Sequence, residues 1–252
     1  MEACQTIVTA LEPAGYRWVK SECDLVRKDD PFTFRLHFQS SPRNFLVDEE
    51  NVGRVRSLIG RIISAGPALF VPLQVELKEI HQYGSVKMIP RLDVIDSRIA
   101  AWRKTLQNPI RSDGAITGSN LGYLAKQSTW LEINLANPHV RASRVESLIS
   151  LIFDAAIPFF DRFHRDEEIL EKLIKSGFEA SLEFTEVEHA VFLGGVEAGR
   201  EVIKRFFSKW PAAESEYKTA LSGFRKNGIP EVWESSPGPR LAKAALCVGI
   251  EQ

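Results

Sequence analysis

The sequence predicts an α+β protein, with an antiparallel sheet from the N-terminal half packed on a kinked helix pair and a helical C-terminal layer. Two observations carry this prediction. Residues 32–39 alternate between apolar and polar side chains, as in a strand with one buried face. Residues 143–177 form the longest strongly apolar stretch, and its apolar residues recur at helical spacings of three and four. We expect a sheet-and-helix domain over residues 1–177 and a helical layer over residues 178–252, packed together as one unit.

The N-terminal elements are predicted to be one short helix and a meander of strands. The helix spans residues 1–12 and is broken by Pro13 and Gly15. The strands are predicted over residues 16–20, 25–26 and 32–39. In the last strand the aromatic and leucine side chains all point to one face, which we expect to be buried.

The middle of the chain combines both kinds of pattern. Helical spacing predicts a helix over residues 55–63, and alternation predicts a long strand over residues 69–80. A further strand is predicted within residues 81–95, followed by a short helix that is capped by Asp96 or Ser97.

Two segments lead into the apolar stretch. Residues 108–120, NPIRSDGAITGSN, are rich in Gly, Ser, Asp and Asn, which predicts an exposed and mobile loop. Residues 130–135, WLEINL, alternate between polar and apolar positions after the leading tryptophan, and we expect a strand that ends at Asn137 and Pro138.

The apolar stretch is predicted to be a kinked helix pair. Ser143 and Glu146 have the spacing of a capping box, so the first helix is expected to begin at Ser143. Pro158 cannot donate an N–H to the preceding turn, which predicts a kink. The second helix is expected to run from an N-cap at Asp166 to Gly177.

The tail after residue 177 is predicted to be mainly helical. Gly194–Gly195 precedes one helix, and Pro211 begins another that ends at Asn227–Gly228. Residues 241–250 are compatible with a short helix or a strand.

Composition limits the class of protein. The formal net charge of −1 gives no global bias towards nucleic acids or acidic membranes. Cys4, Cys23 and Cys247 are widely scattered, which argues against a disulfide framework or a zinc site and is typical of reduced cytoplasmic thiols. The sequence has no transmembrane stretch, and no basic segment followed by an apolar run at its start. We therefore expect a cytoplasmic protein with no signal peptide and no membrane partner.

The sequence contains no catalytic motif. A nucleophile elbow, a P-loop and a dinucleotide-binding fingerprint are all missing, so we assign no catalytic residue, metal ligand or cofactor. Glu186, Glu188 and His189 have the composition of a metal-binding trio if their segment is helical. The interpretation that we favour is a solvated acidic turn.

The charged segments suggest partner surfaces. We predict that acidic side chains face a protein partner with a basic surface, because charge complementarity speeds and directs association. The predicted partner-binding residues are Asp48, Glu49, Glu50, Glu179, Glu183, Glu186 and Glu188. A solvated face is the alternative. Seven residues could form a basic face, which we interpret as a solvated surface. They are Arg35, His37, Arg54, Arg56, Arg61, Arg98 and Arg103. Nucleic-acid binding would need aromatic residues interleaved with these charges, so we favour it least.

Three segments together resemble a bacterial family that is known only as a domain of unknown function. They are Tyr16 to Ser41, with its YRW and FTFRLHFQS motifs, Trp130 to Leu135, and Ile149 to Phe163, which contains IPFFDRF. Similar small α+β proteins include immunity proteins, which bind and neutralise a toxin. The resemblance implies a toxin-neutralising or defence-accessory role, as in toxin–antitoxin pairs, with a basic toxin domain as the partner.

We therefore expect a protein-binding module that is not an enzyme. The alternative is an enzyme or nucleotide-binding protein with its site on the polar face of the sheet. That site would comprise Arg35, His37 and Gln39, beside the loop predicted at residues 108–120.

Overall fold

The structure is a computed structural model that describes residues 2–40, 44–46, 76, 79–80, 82–106, 109, 113–126, 130–176, 185–229 and 236–250. It contains an antiparallel sheet from the N-terminal half together with several helices, so the predicted α+β class is confirmed. The chain forms two compact units. The first comprises Met1–Leu25, Leu36–Arg91 and Asn120–Asp154, and the second comprises Val26–Arg35, Leu92–Ser119 and Ala155–Gln252. The division predicted at residue 177 stays a prediction.

Eight strands are described. They are β1 (Arg17–Val19), β2 (Asp24–Asp29), β3 (Phe32–Ser40), β4 (Phe45–Leu46), β5 (Gly84–Ser85), β6 (Lys87–Asp96), β7 (Ala115–Asn120) and β8 (Ile133–Asn134). The main sheet has the order β1-β2-β3-β6-β7, and β8 pairs with β6 as well. In that last pairing Lys87 lies opposite Asn134, and Met88 lies opposite Ile133, in antiparallel register. Strands β4 and β5 form a separate antiparallel pair.

The described α-helices are α1 (Glu2–Leu11), α2 (Ser97–Arg103), α3 (Leu121–Leu124), α4 (Pro138–Leu151), α5 (Ile157–Phe160), α6 (Asp166–Lys175), α7 (Thr185–Lys209), α8 (Ala213–Asn227) and α9 (Pro237–Cys247). Helix α7 is interrupted at Gly195, which has a positive φ of 76°. None of the helices in the described residues has the length and apolarity needed to cross a lipid bilayer.

The N-terminal predictions are confirmed by helix α1 and strands β1 to β3. Helix α1 packs against α4 in the first unit, and its apolar residues Ile7, Val8 and Leu11 are buried. In β3 the alternating apolar residues are buried as the period of two requires. These residues are Phe32, Phe34, Leu36 and Phe38.

An aromatic cluster forms part of the core of the second unit. The rings of Phe34 and Phe160 have centroids 5.1 Å apart, and those of Phe159 and Phe163 are 5.4 Å apart. Phe32 joins the cluster through Phe163, at 6.1 Å. In the same unit α6 packs on α7, and α9 packs on both α7 and α8. The apolar stretch is thus a core element, as the sequence predicts.

The helical run is interrupted next to Pro158, as predicted, but its first helix begins earlier than expected. A π-helical turn over Ile152–Ala156 separates α4 from α5, whose second residue is Pro158, which has no N–H to donate. Helix α4 begins at Pro138, because the Asn137 side chain accepts a hydrogen bond from the His139 N–H and caps the first turn. The capping box predicted at Ser143 is therefore wrong.

The second helix of the pair begins as predicted, with a different cap. Helix α6 starts at Asp166, which is its first residue, and Arg165 occupies the N-cap position. Both carboxylate oxygens of Asp166 accept hydrogen bonds from Arg98 at 2.8 Å. Gly177, the predicted end of this helix, lies outside the described residues.

Residues 115–120 correct the loop prediction, because they form the buried strand β7. Their small residues are explained by close packing. A Cβ at Gly114 would lie 2.5 Å from the main-chain oxygen of Asp96, and a Cβ at Gly118 would lie 2.4 Å from a carboxylate oxygen of Asp93. Glycine therefore allows β7 to approach β6 closely, and a composition typical of loops belongs here to a strand.

The predicted strand over residues 69–80 is wrong where it is described, since residues 76, 79 and 80 are helical. The helix predicted over residues 55–63 lies outside the described residues. The predicted Asp96 cap is confirmed, since its side chain accepts from the Arg98 N–H at the start of α2. The open choice for residues 241–250 is resolved mainly as helix, in α9.

Candidate functional site: a groove beside strand β8

A groove with a volume of about 810 Å³ lies in the first unit between strand β8 and helix α4. One side consists of residues 131–134, and the other consists of α4 residues that include Arg144 and Leu148. We call it the edge groove. Its lining is Glu76, Glu79, Lys87, Trp130, Leu131, Glu132, Ile133, Asn134, Arg144, Ser147, Leu148 and Leu151.

Two asparagine side chains fix the extended wall of the edge groove. Asn120 caps helix α3 and is buried, and its Oδ1 accepts from the Leu131 N–H at 2.7 Å while its Nδ2 donates to the Leu131 carbonyl at 3.1 Å. The Asn134 side chain accepts from the Val86 N–H at 2.9 Å and donates to the Gly84 carbonyl at 3.2 Å. These amides act as main-chain groups would in a ladder and hold the wall at both ends.

The Asn44 side chain binds the start of the neighbouring strand β6 in the same way. Its Oδ1 accepts from the Lys87 N–H at 2.7 Å, and its Nδ2 donates to the Lys87 carbonyl at 3.2 Å. The start of β6, which pairs with β8, is therefore itself fixed by the Asn44 side chain.

The opposite wall is fixed by a bidentate ion pair. Arg144 donates to both carboxylate oxygens of Glu79, at 2.5 and 2.7 Å, and its Nη1 also donates to the Asn134 carbonyl at 2.6 Å. The hydrogen bond from Arg144 holds the pKa of Glu79 below its usual range. Arg144 thus joins helix α4 to strand β8.

A second charged cluster lies around Lys87. Its Nζ is 2.8 Å from an oxygen of Glu132 and 3.7 Å from an oxygen of Glu76. The hydrogen bond to Glu132 raises the pKa of Lys87 above its ordinary value. Among the residues that the structure describes, the lining of the edge groove therefore has three carboxylates and two cations, which is an excess of one negative charge. The carboxylates of Glu76 and Glu132 are accessible, with side chains 47% and 35% exposed.

One residue of the edge groove, Trp130, pairs with a second exposed aromatic residue, Tyr123. Trp130 is 44% exposed and Tyr123 is 47% exposed. Their rings meet edge to face, with centroids 6.2 Å apart. Large aromatic surfaces of this kind are typical of interface anchors.

Of the predicted partner-binding residues, the structure describes Glu186 and Glu188. Glu186 and Glu188 are buried, so the interpretation of their segment as a solvated acidic turn is wrong. Helix α7 begins at Thr185 and turns both carboxylates towards arginines, with Glu186 2.5 Å from Arg205 and Glu188 2.6 Å from Arg103. The other predicted residues lie outside the described residues, namely Asp48, Glu49, Glu50, Glu179 and Glu183.

The alternative ligand site lies on β3. Arg35 and His37 are half-buried and Gln39 is exposed, as expected for the polar face of the strand. His37 Nδ1 lies 2.5 Å from Oδ1 of Asp24, whose side chain is buried. This carboxylate orients the imidazole in the manner of an acid–base pair.

A buried charged cluster lies in the second unit. It contains the Arg103–Glu188 pair, the Asp96–Arg98–Asp166 network and His189, whose side chain has no exposed surface. Burial lowers the pKa of His189 to about 3. Arg103 and Arg98, which the sequence analysis assigned to a basic face, instead neutralise acidic partners. We interpret the cluster as structural, since it fixes the start of helix α7.

Among the described residues, no three His, Cys, Asp or Glu side chains converge as a metal site requires. Comparisons with protein-family models, with curated proteins and with solved structures find no match for this chain.

The edge groove was not predicted as a site from the sequence. Its signal was present in the alternation of residues 130–135, which carries Trp130 and Glu132 on one side of a predicted strand. The partners that complete the site come from distant positions. Glu79 and Arg144, for example, are 65 residues apart in the sequence.

Proposed function

We propose that this protein is a binding module for a basic polypeptide partner, which docks at the edge groove. The observation that carries this proposal is the exposed pair of Trp130 and Tyr123 beside a groove whose described lining has an excess of carboxylate. Aromatic side chains contribute large contact areas at low entropic cost and are enriched among the residues that dominate binding.

The charges of the edge groove favour a basic partner over an acidic one. Arg144 is engaged by both oxygens of Glu79, so it offers little to an incoming carboxylate. Lys87 is shared between Glu132 and Glu76, which leaves carboxylate capacity for an additional cation. An arginine or lysine of the partner would pair with these oxygens and lie over the Trp130 ring.

A toxin-neutralising immunity or defence-accessory role is the specific form of binding that we propose. Its support is the resemblance of three segments to a family with immunity-protein-like members, together with the preference of the edge groove for basic chemistry. Cross-linking through a photo-reactive residue at position 130 tests it. We expect the captured protein to be basic and to arrest growth when it is produced alone. A captured protein that is acidic or harmless would overturn this role.

A peptide titration tests the binding proposal itself. The probe is a short peptide in which arginine alternates with valine, and its acidic counterpart replaces each arginine by glutamate. We expect the basic peptide to bind and the acidic peptide not to bind. Trp130→Ala should weaken the binding of the basic peptide at least about tenfold. Trp210→Ala is the matched control, because Trp210 is 55% exposed but lies in the second unit. Equal binding of both peptides, or equal losses in both variants, would contradict the proposal.

The second candidate is an enzyme or nucleotide-binding protein that uses His37. The observation that favours it is the contact between His37 and the buried Asp24, which orients a half-exposed imidazole. A thermal-shift screen of nucleotides and divalent metal ions tests it. A compound that stabilises the wild type but not the His37→Ala variant would support this candidate, and a screen without such a compound would remove it.

A further inference from the structure

We infer that the partner docks by adding an extended strand to the outer edge of residues 131–135, an inference that rests on the function proposed above. The directions of the main-chain groups carry it. Leu131 exchanges two hydrogen bonds with the Asn120 amide, and the Leu135 N–H donates to the Val86 carbonyl at 2.8 Å. Between them Ile133 lies opposite Met88. The main-chain groups of Leu131 and Ile133 and the N–H of Leu135 therefore face the sheet, whereas the Leu135 carbonyl accepts from Arg141 of helix α4 at 2.8 Å.

In an extended chain, successive residues turn their N–H and C=O groups to opposite sides. The main-chain N–H and C=O groups of Glu132 and Asn134 consequently point away from the sheet and towards helix α4. One contact verifies this direction, since the Asn134 carbonyl accepts from Arg144 of α4 at 2.6 Å. The contacts of Lys87 are consistent with this geometry. Lys87 lies opposite Asn134, and its main-chain groups bind the Asn44 amide instead of β8.

The outer edge of residues 131–135 thus forms one wall of the edge groove. The outward main-chain groups of Glu132 are directed at a ligand there, whereas the Asn134 carbonyl is already bound by Arg144. Of the strands that the structure describes, β8 is paired with β6 alone. Such an edge is a template for an incoming strand, which gains main-chain hydrogen bonds without any sequence requirement.

Sequence preference would come from the side chains along this edge. Trp130 and Glu132 are two residues apart and so project from the same face of the extended segment. Cross-strand neighbours on one face lie close enough to interact. A partner residue opposite this pair therefore meets an exposed indole and a carboxylate, which together suit arginine or lysine. Alternate residues of the partner strand are expected to be basic.

The test compares two variants at one position. Glu132→Gln removes the charge and keeps the outward N–H, whereas Glu132→Pro also removes that N–H. Proline is tolerated on an edge strand when its nitrogen faces away from the ladder. With the alternating arginine–valine peptide as probe, we expect Glu132→Gln to weaken binding a few-fold. Glu132→Pro should weaken it by about tenfold more, because a strand hydrogen bond is lost.

A second measurement needs no protein variant, so it holds even if Glu132→Pro does not fold. Methylating the main-chain nitrogens of the peptide at every other residue removes the donors of one edge. We expect one of the two methylated registers to lose binding and the other to keep it.

The outcomes separate this inference from the proposed function. If the basic peptide binds and depends on Trp130, but neither methylation nor Glu132→Pro weakens it beyond Glu132→Gln, then strand addition is overturned and the binding proposal stands. If the basic peptide does not bind at all, both are overturned.

Discussion

Arg103 and Glu188 form an ion pair in which neither side chain has any exposed surface, with Nε of Arg103 2.6 Å from Oε2 of Glu188. Nη1 of Arg103 also donates to the carbonyls of Asp113 and Ala115, both at 2.7 Å. A single guanidinium thus joins helix α2, the start of β7 and the first turn of α7. Within the second unit this pair fixes the buried start of helix α7.

Breaking this pair from one side should be costly, because a charge would remain buried without its partner. We expect Glu188→Gln to lower the free energy of unfolding by about 3–5 kcal/mol. Glu197→Gln is the control, since it removes an exposed ion-pair partner of Arg200 on the same helix and should cause no measurable change. Urea denaturation measures both variants. Equal stability of the two would show that the buried pair does not hold the unit together.

His189 should make the free energy of unfolding depend on pH above about pH 4.5, a range in which Glu79 and Asp166 have no such effect. Its pKa is about 3 in the folded chain because burial disfavours the charged ring, whereas the unfolded imidazole has its ordinary pKa of about 6.5. Stability is therefore fully present above pH 6.5 and is lost as the pH falls towards 3. The slope is about 1.4 kcal/mol per pH unit, or about 2 kcal/mol between pH 7 and pH 5. The pKa values of Glu79 and Asp166 are lowered by arginines, so those groups act only below about pH 4.5.

The measurement is the free energy of unfolding at pH 7 and at pH 5 in the wild type and in His189→Gln. We expect the wild type to lose about 2 kcal/mol more than the variant over this interval. His164→Gln, which changes an exposed histidine, should retain the wild-type dependence. A variant that loses as much stability as the wild type would refute the role of His189.

Two glycines of the second unit should respond to alanine with opposite signs. A Cβ at Gly238 would lie 2.8 Å from the Tyr217 nitrogen and 2.9 Å from the Ala213 oxygen, at the contact between α9 and α8. Gly238→Ala should therefore destabilise the protein by about 1–3 kcal/mol through overpacking. Gly223 lies inside α8, and a Cβ there would meet no atom of another element within 4 Å, so Gly223→Ala should stabilise by about 0.5–1 kcal/mol. Thermal unfolding of both variants measures this, and shifts of the same sign would contradict the described packing.

Local sequence patterns were sufficient to predict an element where one periodicity or one proline determines it. The alternation of residues 32–39 predicted β3 and its buried face, and Pro158 predicted the interruption within the helix pair. These elements are determined by side-chain period and by a missing N–H, which are properties of a short segment.

The remaining features depend on contacts between distant residues. Residues 115–120 have the composition of a loop, yet they form a strand because β6 approaches their glycines closely. The segment of Glu186 and Glu188 has the composition of a solvated turn, but arginines make its burial possible. One of them, Arg103, is 85 residues away from Glu188 in the sequence. The edge groove likewise depends on the amides of Asn44, Asn120 and Asn134, whose roles no local pattern reveals.

The central claim is that Trp130 lies where a basic polypeptide docks, and fluorine NMR of the protein labelled with fluorotryptophan tests it most directly. The Trp130 and Trp210 resonances are assigned from the Trp130→Phe and Trp210→Phe variants, and the alternating arginine–valine peptide is then added to saturation. We predict that the Trp130 resonance shifts while the Trp210 resonance stays in place. A Trp130 resonance that does not move, or one that moves equally with the acidic peptide, would contradict the account.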